Sequence, residues 1–179
     1  MKVLLGMVLG VMIVVGSVFL YFKLGYAPVA TAATPMPFET FMAEAALHAR
    51  MAKEAPSSAP IAADQPTLLA GAKTYSESCA GCHGLRGGSE TGLARGMFPK
   101  PPQFFAHPAS DHPAGEIYWA VKNGIRLSGM PAFSASMSDD QIWQVSLMLT
   151  QRDKLPDDMQ KLLSDRAADP GQMANRSKQ

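Results

Sequence analysis

The chain has 179 residues, of which 17% are charged and 47% hydrophobic, and its formal net charge is +1 at neutral pH. So even a charge balance leaves no basic footprint for a phosphate backbone, which excludes nucleic-acid binding. The length allows one domain of ordinary size with additional segments around it.

Residues 3–22 run without a charge between Lys2 and Lys23. About twenty apolar residues at ~1.5 Å each span the ~30 Å hydrocarbon core of a bilayer. The run is longer than the ~7 to 15 residue apolar core of a secretory signal. A small-x-small site exists at Ala30-Thr31-Ala32, but it lies well beyond Lys23. Residues 1–26 are therefore expected to form an uncleaved transmembrane anchor. Its flanking lysines nearly balance and give little information on orientation.

The segment 27–65 is expected to join that anchor to a folded domain. Residues 27–37 are small and proline-bearing, a linker composition with an extended bias. Then Phe38, Phe41, Met42, Ala45, Ala46, Ala49 and Ala52 follow the 3.6-residue period, with Glu39, Glu44, His48, Arg50 and Lys53 at other positions. This predicts an amphipathic helix over 38–54. Its apolar face is mostly alanine after the first two turns, so two fates stay open. Its aromatic end docks on a membrane protein or in the lipid interface, or the helix folds back on the domain that follows. A second stretch of linker composition covers 55–66.

Residues 66–152 carry the chemistry. Gly71, Tyr75 and Cys79 recur at every fourth position, which stacks them on one face of a helix. A helical glycine costs on the order of 1 kcal/mol relative to alanine, and Gly71 is expected where another helix crosses at close range. Directly after comes Cys79-Ala80-Gly81-Cys82-His83-Gly84. Cys-x-x-Cys-His is the spacing at which two thiols bond to the vinyl groups of one heme while the histidine ligates its iron. A plain disulfide or a metal site is the alternative. With only two cysteines in the chain, however, a structural zinc site would need a distant fourth ligand. A thioredoxin-like pair would need a βαβ pattern, and none is visible.

The loop 85–105 is rich in glycine and proline and should be irregular. A short helix over 115–123 ends at Gly124, its C-cap, with Trp119 either in the core or hydrogen-bonded to a heme propionate. Ser128-Gly129-Met130-Pro131 then offers a thioether on a loop whose backbone Pro131 restrains. Met130 is the candidate second iron ligand. Among the other methionines, Met148 fits a helix core, Met7 and Met12 belong to the apolar N-terminus, and Met97 and Met137 have no clear role. His107 and His112, on a proline-bearing loop, are the rival ligands. Ser138-Asp139-Asp140-Gln141 forms a capping box with two carboxylates on the positive end of a helix that runs to about residue 152. The segment 153–179 reads as a short helix, with Met159, Leu162 and Leu163 on one side, and a disordered tail.

The order Gly71-x-x-x-Tyr75, Cys79-x-x-Cys82-His83, proline loop, Asn123-Gly124-Ile125-Arg126, Gly129-Met130-Pro131 and a final helix resembles the class I (monoheme) cytochrome c family. The likeness covers roughly residues 66–152, about half the chain. It implies an all-α fold of helices around one covalently bound heme (heme c), with the first and last helices crossing. Gly71 and Trp143 would supply a small and a large residue at that crossing. It also implies Cys79 and Cys82 as the heme-bonding residues, His83 and Met130 as axial ligands, and a proline carbonyl on the His83 Nδ1–H. Pro99, Pro101 and Pro102 all stay open for that carbonyl, and Tyr75, Pro101, Trp119 and Arg126 are candidates for pocket or propionate contacts.

The function so implied is a one-electron carrier between membrane-associated redox partners, not an enzyme. Heme attachment on the outer side of the bacterial inner membrane, also implied by the resemblance, would put the domain on the periplasmic side of a single-pass anchor. Two alternatives stand beside it. One is a fixed subunit of a larger respiratory or photosynthetic oxidoreductase, with 38–54 and 153–168 as assembly contacts. The other is a heme sensor or enzyme with a labile sixth ligand.

Overall fold

The computed structural model describes residues 1–106 and 112–164. His107, one of the rival ligands, and the tail from residue 165 lie outside them. All regular structure in the described residues is helical: α1 (Lys2–Lys23), α2 (Glu39–Glu54), α3 (Gln65–Ser78), α4 (Ala80–His83), α5 (Gly92–Arg95), α6 (Ala114–Asn123), α7 (Asp139–Thr150) and α8 (Asp157–Leu162). Two compact units divide the chain, Met1–Met42 and Ala43–Gln179.

In the first unit, α1 has 22 residues, none of them buried, and is long and apolar enough to cross a membrane. Aromatic rings gather at its C-terminal end. Tyr21 meets Phe22 edge-on at 5.6 Å and stacks on Tyr26 at 6.2 Å, the residue type that favours the headgroup level of a bilayer.

The second unit is organised by the crossing of α3 and α7. Asp64 caps α3 by accepting the Thr67 N–H at 3.0 Å, with proline in the first turn. Leu68, Gly71, Ala72 and Tyr75 then form its buried face. The predicted capping box opens α7, with Ser138 and Gln141 exchanging hydrogen bonds of 3.2 and 2.9 Å. A Cβ at Gly71 would collide with the Gln144 carbonyl and lie 2.9 Å from Met148 Cβ. The glycine is thus required where two backbones touch. Its partner at that point differs from the one expected. Trp143 instead stacks flat on Tyr118 of α6, with centroids 4.1 Å apart and planes 14° apart. Helix α7 is buried from Ile142 through Leu149, apart from Gln144, because α3 and α6 pack on different sides of it. A hydrogen-bonded cluster ties α6 to the start of α7. Tyr118 and Lys122 both donate to Asp139 Oδ1, at 2.9 and 2.8 Å, and these bonds lower the carboxyl's pKa.

Two segments of unassuming composition join this core. Beyond α7, Leu155, Met159 and Leu163 are buried in it. Upstream, the stretch 55–64 is not a free spacer in structure. Ala59 and Ile61 pack on the core, and a Cβ at Gly115 would collide with the Pro56 carbonyl. Met51 at the end of α2 is buried, and Glu54 accepts the Trp119 indole N–H at 3.2 Å. The C-terminal half of α2 has therefore folded back on the domain, while Phe38, Phe41 and Met42 stay exposed.

Because the Gly71 contact is with backbone, no side-chain rotation relieves an added methyl group. Gly71→Ala is expected to destabilise the heme-loaded protein by about 1–3 kcal/mol, read as a lower midpoint in urea unfolding. An unchanged midpoint would mean that the helices do not cross this closely.

Candidate functional site

Cys79 ends α3 and begins α4, so the first thiol leaves the chain where two helices meet. The next residues close one tight turn: Cys82 N–H and His83 N–H both reach the Cys79 carbonyl, at 3.1 and 2.9 Å, and Gly84 N–H reaches Ala80. A single turn thus presents both unlinked thiols and the imidazole. Both cysteines are half-buried. Burial, with Cys82 close by, pushes the Cys79 thiol up to about 12. It is a protonated thiol at neutral pH.

A one-turn helix leaves most of its carbonyls without helical partners, and each of these finds a donor from another part of the domain. Thr91 Oγ1 donates to Gly81 O at 2.7 Å, and the same hydroxyl caps α5. Gln103 Nε2 donates to Cys82 O at 2.9 Å and to Pro101 O at 3.0 Å. The Tyr75 hydroxyl donates to Gly84 O at 2.8 Å and to His83 O at 3.2 Å. Tyr75 is wholly buried, which raises its pKa and keeps it a donor. Gly84 leaves the turn at φ +73°, a left-handed conformation that favours glycine.

His83 is fixed through its ring. Its Nδ1 lies 2.9 Å from the Pro102 carbonyl. A carbonyl only accepts, so Nδ1 carries the proton and Nε2 keeps its lone pair for a metal. Burial holds the imidazole below its ordinary pKa, against the opposing pull of that hydrogen bond, and so favours the neutral form. Phe104 stacks on it at 4.7 Å with the planes 20° apart. Of the three prolines left open by the sequence, Pro102 is the one that meets His83, and the Pro101 carbonyl accepts from Gln103 instead.

Met130 sits on a closed loop. Ile125 N–H donates to its carbonyl at 3.1 Å, and its own N–H donates to Ser128 Oγ at 3.2 Å, while Ser128 Oγ donates to Ile125 O. Gly124, at φ +67°, brings the chain against the backbone of Pro131 and Ala132. The Met97 thioether packs on Gly129, which gives that methionine a place. Met130 itself is half-buried against the core. Arg126 is exposed on the same loop. Trp119 is half-buried, with its indole N–H taken by Glu54. His112 is exposed beside Glu116, at 3.0 Å.

Sequence reasoning missed Thr91, Gln103, Phe104 and Arg152. Phe104 and Gln103 follow the proline run directly, and that adjacency was the available signal. Arg152, at the end of α7, is buried, with Nε donating to the Phe104 carbonyl at 2.7 Å.

Two thiols in one turn, a neutral imidazole whose Nε2 keeps its lone pair, and a turn whose backbone is satisfied from outside make a donor set that fits a covalently attached heme. The model of the family described as cytochrome c oxidase, cbb3-type, subunit III matches residues 66–147. No curated protein matches the chain. Among solved structures, a chain of the reducing HAO-like protein complex of Kuenenia stuttgartiensis is 25% identical, with a TM-score of 0.45 over 52% of this chain and 47% of that one. The matched region, the all-helical architecture and the Cys79-x-x-Cys82-His83 turn together make residues 66–147 similar to a cytochrome c domain, and a domain of that kind implies heme-based electron transfer.

Proposed function

We propose that this protein is a one-electron carrier, held by α1 at the outer face of a bacterial inner membrane. The observation that carries the reading is the α4 turn, where Cys79, Cys82 and His83 converge with His83 Nδ1 engaged by Pro102. Cys79 and Cys82 would hold the heme by adding S–H across its two vinyl groups, sulfur to one carbon and hydrogen to the other. His83 and Met130 would be the axial ligands. Bound there, a c-type heme supplies one-electron exchange between ferric and ferrous iron. The chain's own part is to keep His83 neutral and oriented, to hold the Met130 loop closed, and to pack apolar side chains around both. With His83 and Met130 both holding the iron, the site would carry electrons and would leave no open position for a gaseous or peroxide substrate.

Charge supports a tether over free diffusion. Within 66–152, Lys73, Arg86, Arg95, Lys100, Lys122, Arg126 and Arg152 stand against Glu77, Glu90, Asp111, Glu116, Asp139 and Asp140. Complementary charge speeds association roughly 10 to 10³-fold, and a domain this close to neutral gains little of it. Confinement beside a partner raises effective concentration instead, toward millimolar for short linkers. A second reading, a fixed subunit of a larger oxidoreductase, is favoured by the likeness of residues 66–147 to an oxidase subunit.

Three experiments test the proposal. Wild-type protein is expected to keep its heme through acid-acetone extraction and Cys79→Ser/Cys82→Ser to lose it; extractable heme in the wild type refutes covalent attachment. Met130→His is expected to lower the reduction potential, since thioether ligation favours higher values, and carbon monoxide to leave the spectrum of the reduced wild type unchanged. An unaltered potential places the ligand elsewhere. Electron exchange with a membrane partner is expected to vary weakly with salt and to fall sharply when residues 1–26 are replaced by a cleaved signal. Steep salt dependence without a truncation penalty points to a freely diffusing carrier.

A further inference from the structure

Helix α2 is held by one side and apolar on the other. At about 100° per residue, Leu47, Met51 and Glu54 share a side, and that is the side the domain takes: Met51 is buried, Leu47 half-buried, and Glu54 accepts the Trp119 indole N–H. Phe41, Met42, Ala45, Ala49 and Ala52 fall opposite, with Phe38 at the helix entry, and all six are exposed. The apolar stripe that the sequence predicts has thus been left uncovered by the fold. Its large side chains crowd the N-terminal end, where Phe38, Phe41 and Met42 are 77%, 66% and 63% exposed.

This end is ordered by its own hydrogen bonds. Glu39 N–H donates to Met36 O at 3.1 Å, Met36 N–H donates to the Glu39 carboxylate at 2.8 Å, and Met42 N–H donates to Phe38 O at 2.9 Å. Phe38 itself is held at φ +65°, a conformation uncommon for a bulky residue. A structured backbone therefore presents two phenylalanines and a methionine outward.

What lies within reach of them is set by α1. Phe38, Phe41 and Met42 belong to the same compact unit as that helix, and residues 24–37 are all that separate its end from Phe38. Even fully extended, such a connection spans at most ~50 Å. Tyr21, Phe22 and Tyr26 mark the headgroup level at its start. A stripe made mostly of alanine would bind a free membrane weakly, but a covalent tether raises the effective concentration of the surface it is tied to. Charge adds little, because Glu39 and Glu44 offset Arg50 and Lys53 along α2. Burial of apolar side chains is then the term that drives contact, and it is the term by which interfacial helices bind.

We propose that the exposed stripe of α2 lies in the interfacial layer of the bilayer that α1 crosses, with Phe38, Phe41 and Met42 inserted among the lipid headgroups. The inference rests on the reading of α1 as an anchor. Residues 24–37 become a loop fixed to the membrane at both ends, and the helix that carries the domain by its other side lies along the surface.

The test uses the full-length, heme-loaded protein reconstituted into vesicles of phosphatidylcholine alone and into vesicles that also contain anionic phosphatidylglycerol. Extraction with alkaline carbonate is scored first, and wild type stripped from the vesicles defeats the anchor reading and this proposal with it. Nitroxide labels are then placed at Met42→Cys and, on the opposite side of the helix, at Thr40→Cys; with Cys79 and Cys82 bonded to heme, only the introduced thiol reacts. In electron paramagnetic resonance the Met42→Cys label is expected to collide several-fold more often with dissolved oxygen, and several-fold less often with a water-soluble nickel chelate, than the Thr40→Cys label. The values are expected to agree between the two lipid compositions. Adding Phe38→Ser and Phe41→Ser, both at exposed positions, is expected to return the Met42→Cys label to aqueous values while carbonate still fails to extract the protein. A Met42→Cys label as open to the chelate as the Thr40→Cys label overturns the proposal and leaves the stripe to a protein partner. Protection seen only with the anionic lipid overturns it as well, since charge would then hold the helix.

Discussion

The backbone contact between Gly71 and Gln144 is the constraint on which the other distances in the domain depend. Helices normally pack with axes 8–10 Å apart, and a glycine at the crossing permits the near end of that range. Once α3 and α7 meet there, Tyr75 is carried one turn further into the core and Cys79 one turn beyond that, at the helix end. Tyr75 then has no water to hydrogen-bond. Its hydroxyl meets instead the carbonyls of His83 and Gly84, which α4 is too short to satisfy. Closeness at the crossing and order in the thiol-bearing turn are therefore two aspects of one arrangement.

Order in that turn is collective. Thr91, Gln103 and Tyr75 come from three separate parts of the sequence, and each supplies donors to carbonyls in the same short stretch. A buried unsatisfied carbonyl costs about 1–3 kcal/mol, so the proline loop and α5 cannot be rearranged independently of the cysteines. This gives a loop rich in glycine and proline, which would otherwise be poorly determined, a definite conformation. The Met130 loop follows the same logic with local donors, since Ser128 and Ile125 close it through its own backbone.

What could be read from the sequence was what depends on short-range spacing. The span of α1, the capping box at Ser138, the end of α6 at Gly124 and the need for a close crossing at Gly71 all follow from periodicity or from the chemistry of single residues. What could not be read depends on which surfaces meet. Nothing in a run of three prolines tells which carbonyl faces His83. Trp143 was the natural large residue for the α3 crossing, yet tertiary packing turned it to Tyr118 and left a backbone carbonyl opposite Gly71. Composition made 55–66 look like linker because its prolines and alanines carry no pattern, although such residues also pack flat against a helix. Arg152 enters the sequence only as one charge in the domain's balance, because burial of a guanidinium beside an aromatic ring leaves no mark on periodicity.

The seat of Pro56 on Gly115 bears on how far the domain can range. Residues 55–64 would reach about 30 Å if released, at ~3.1 Å for each extended residue. Folded against α6, they contribute none of that length. The volume that a leashed domain explores grows roughly as the cube of its leash. One hydrogen atom in place of a methyl group at position 115 thus keeps those ten residues seated on α6, where any Cβ would collide with the Pro56 carbonyl.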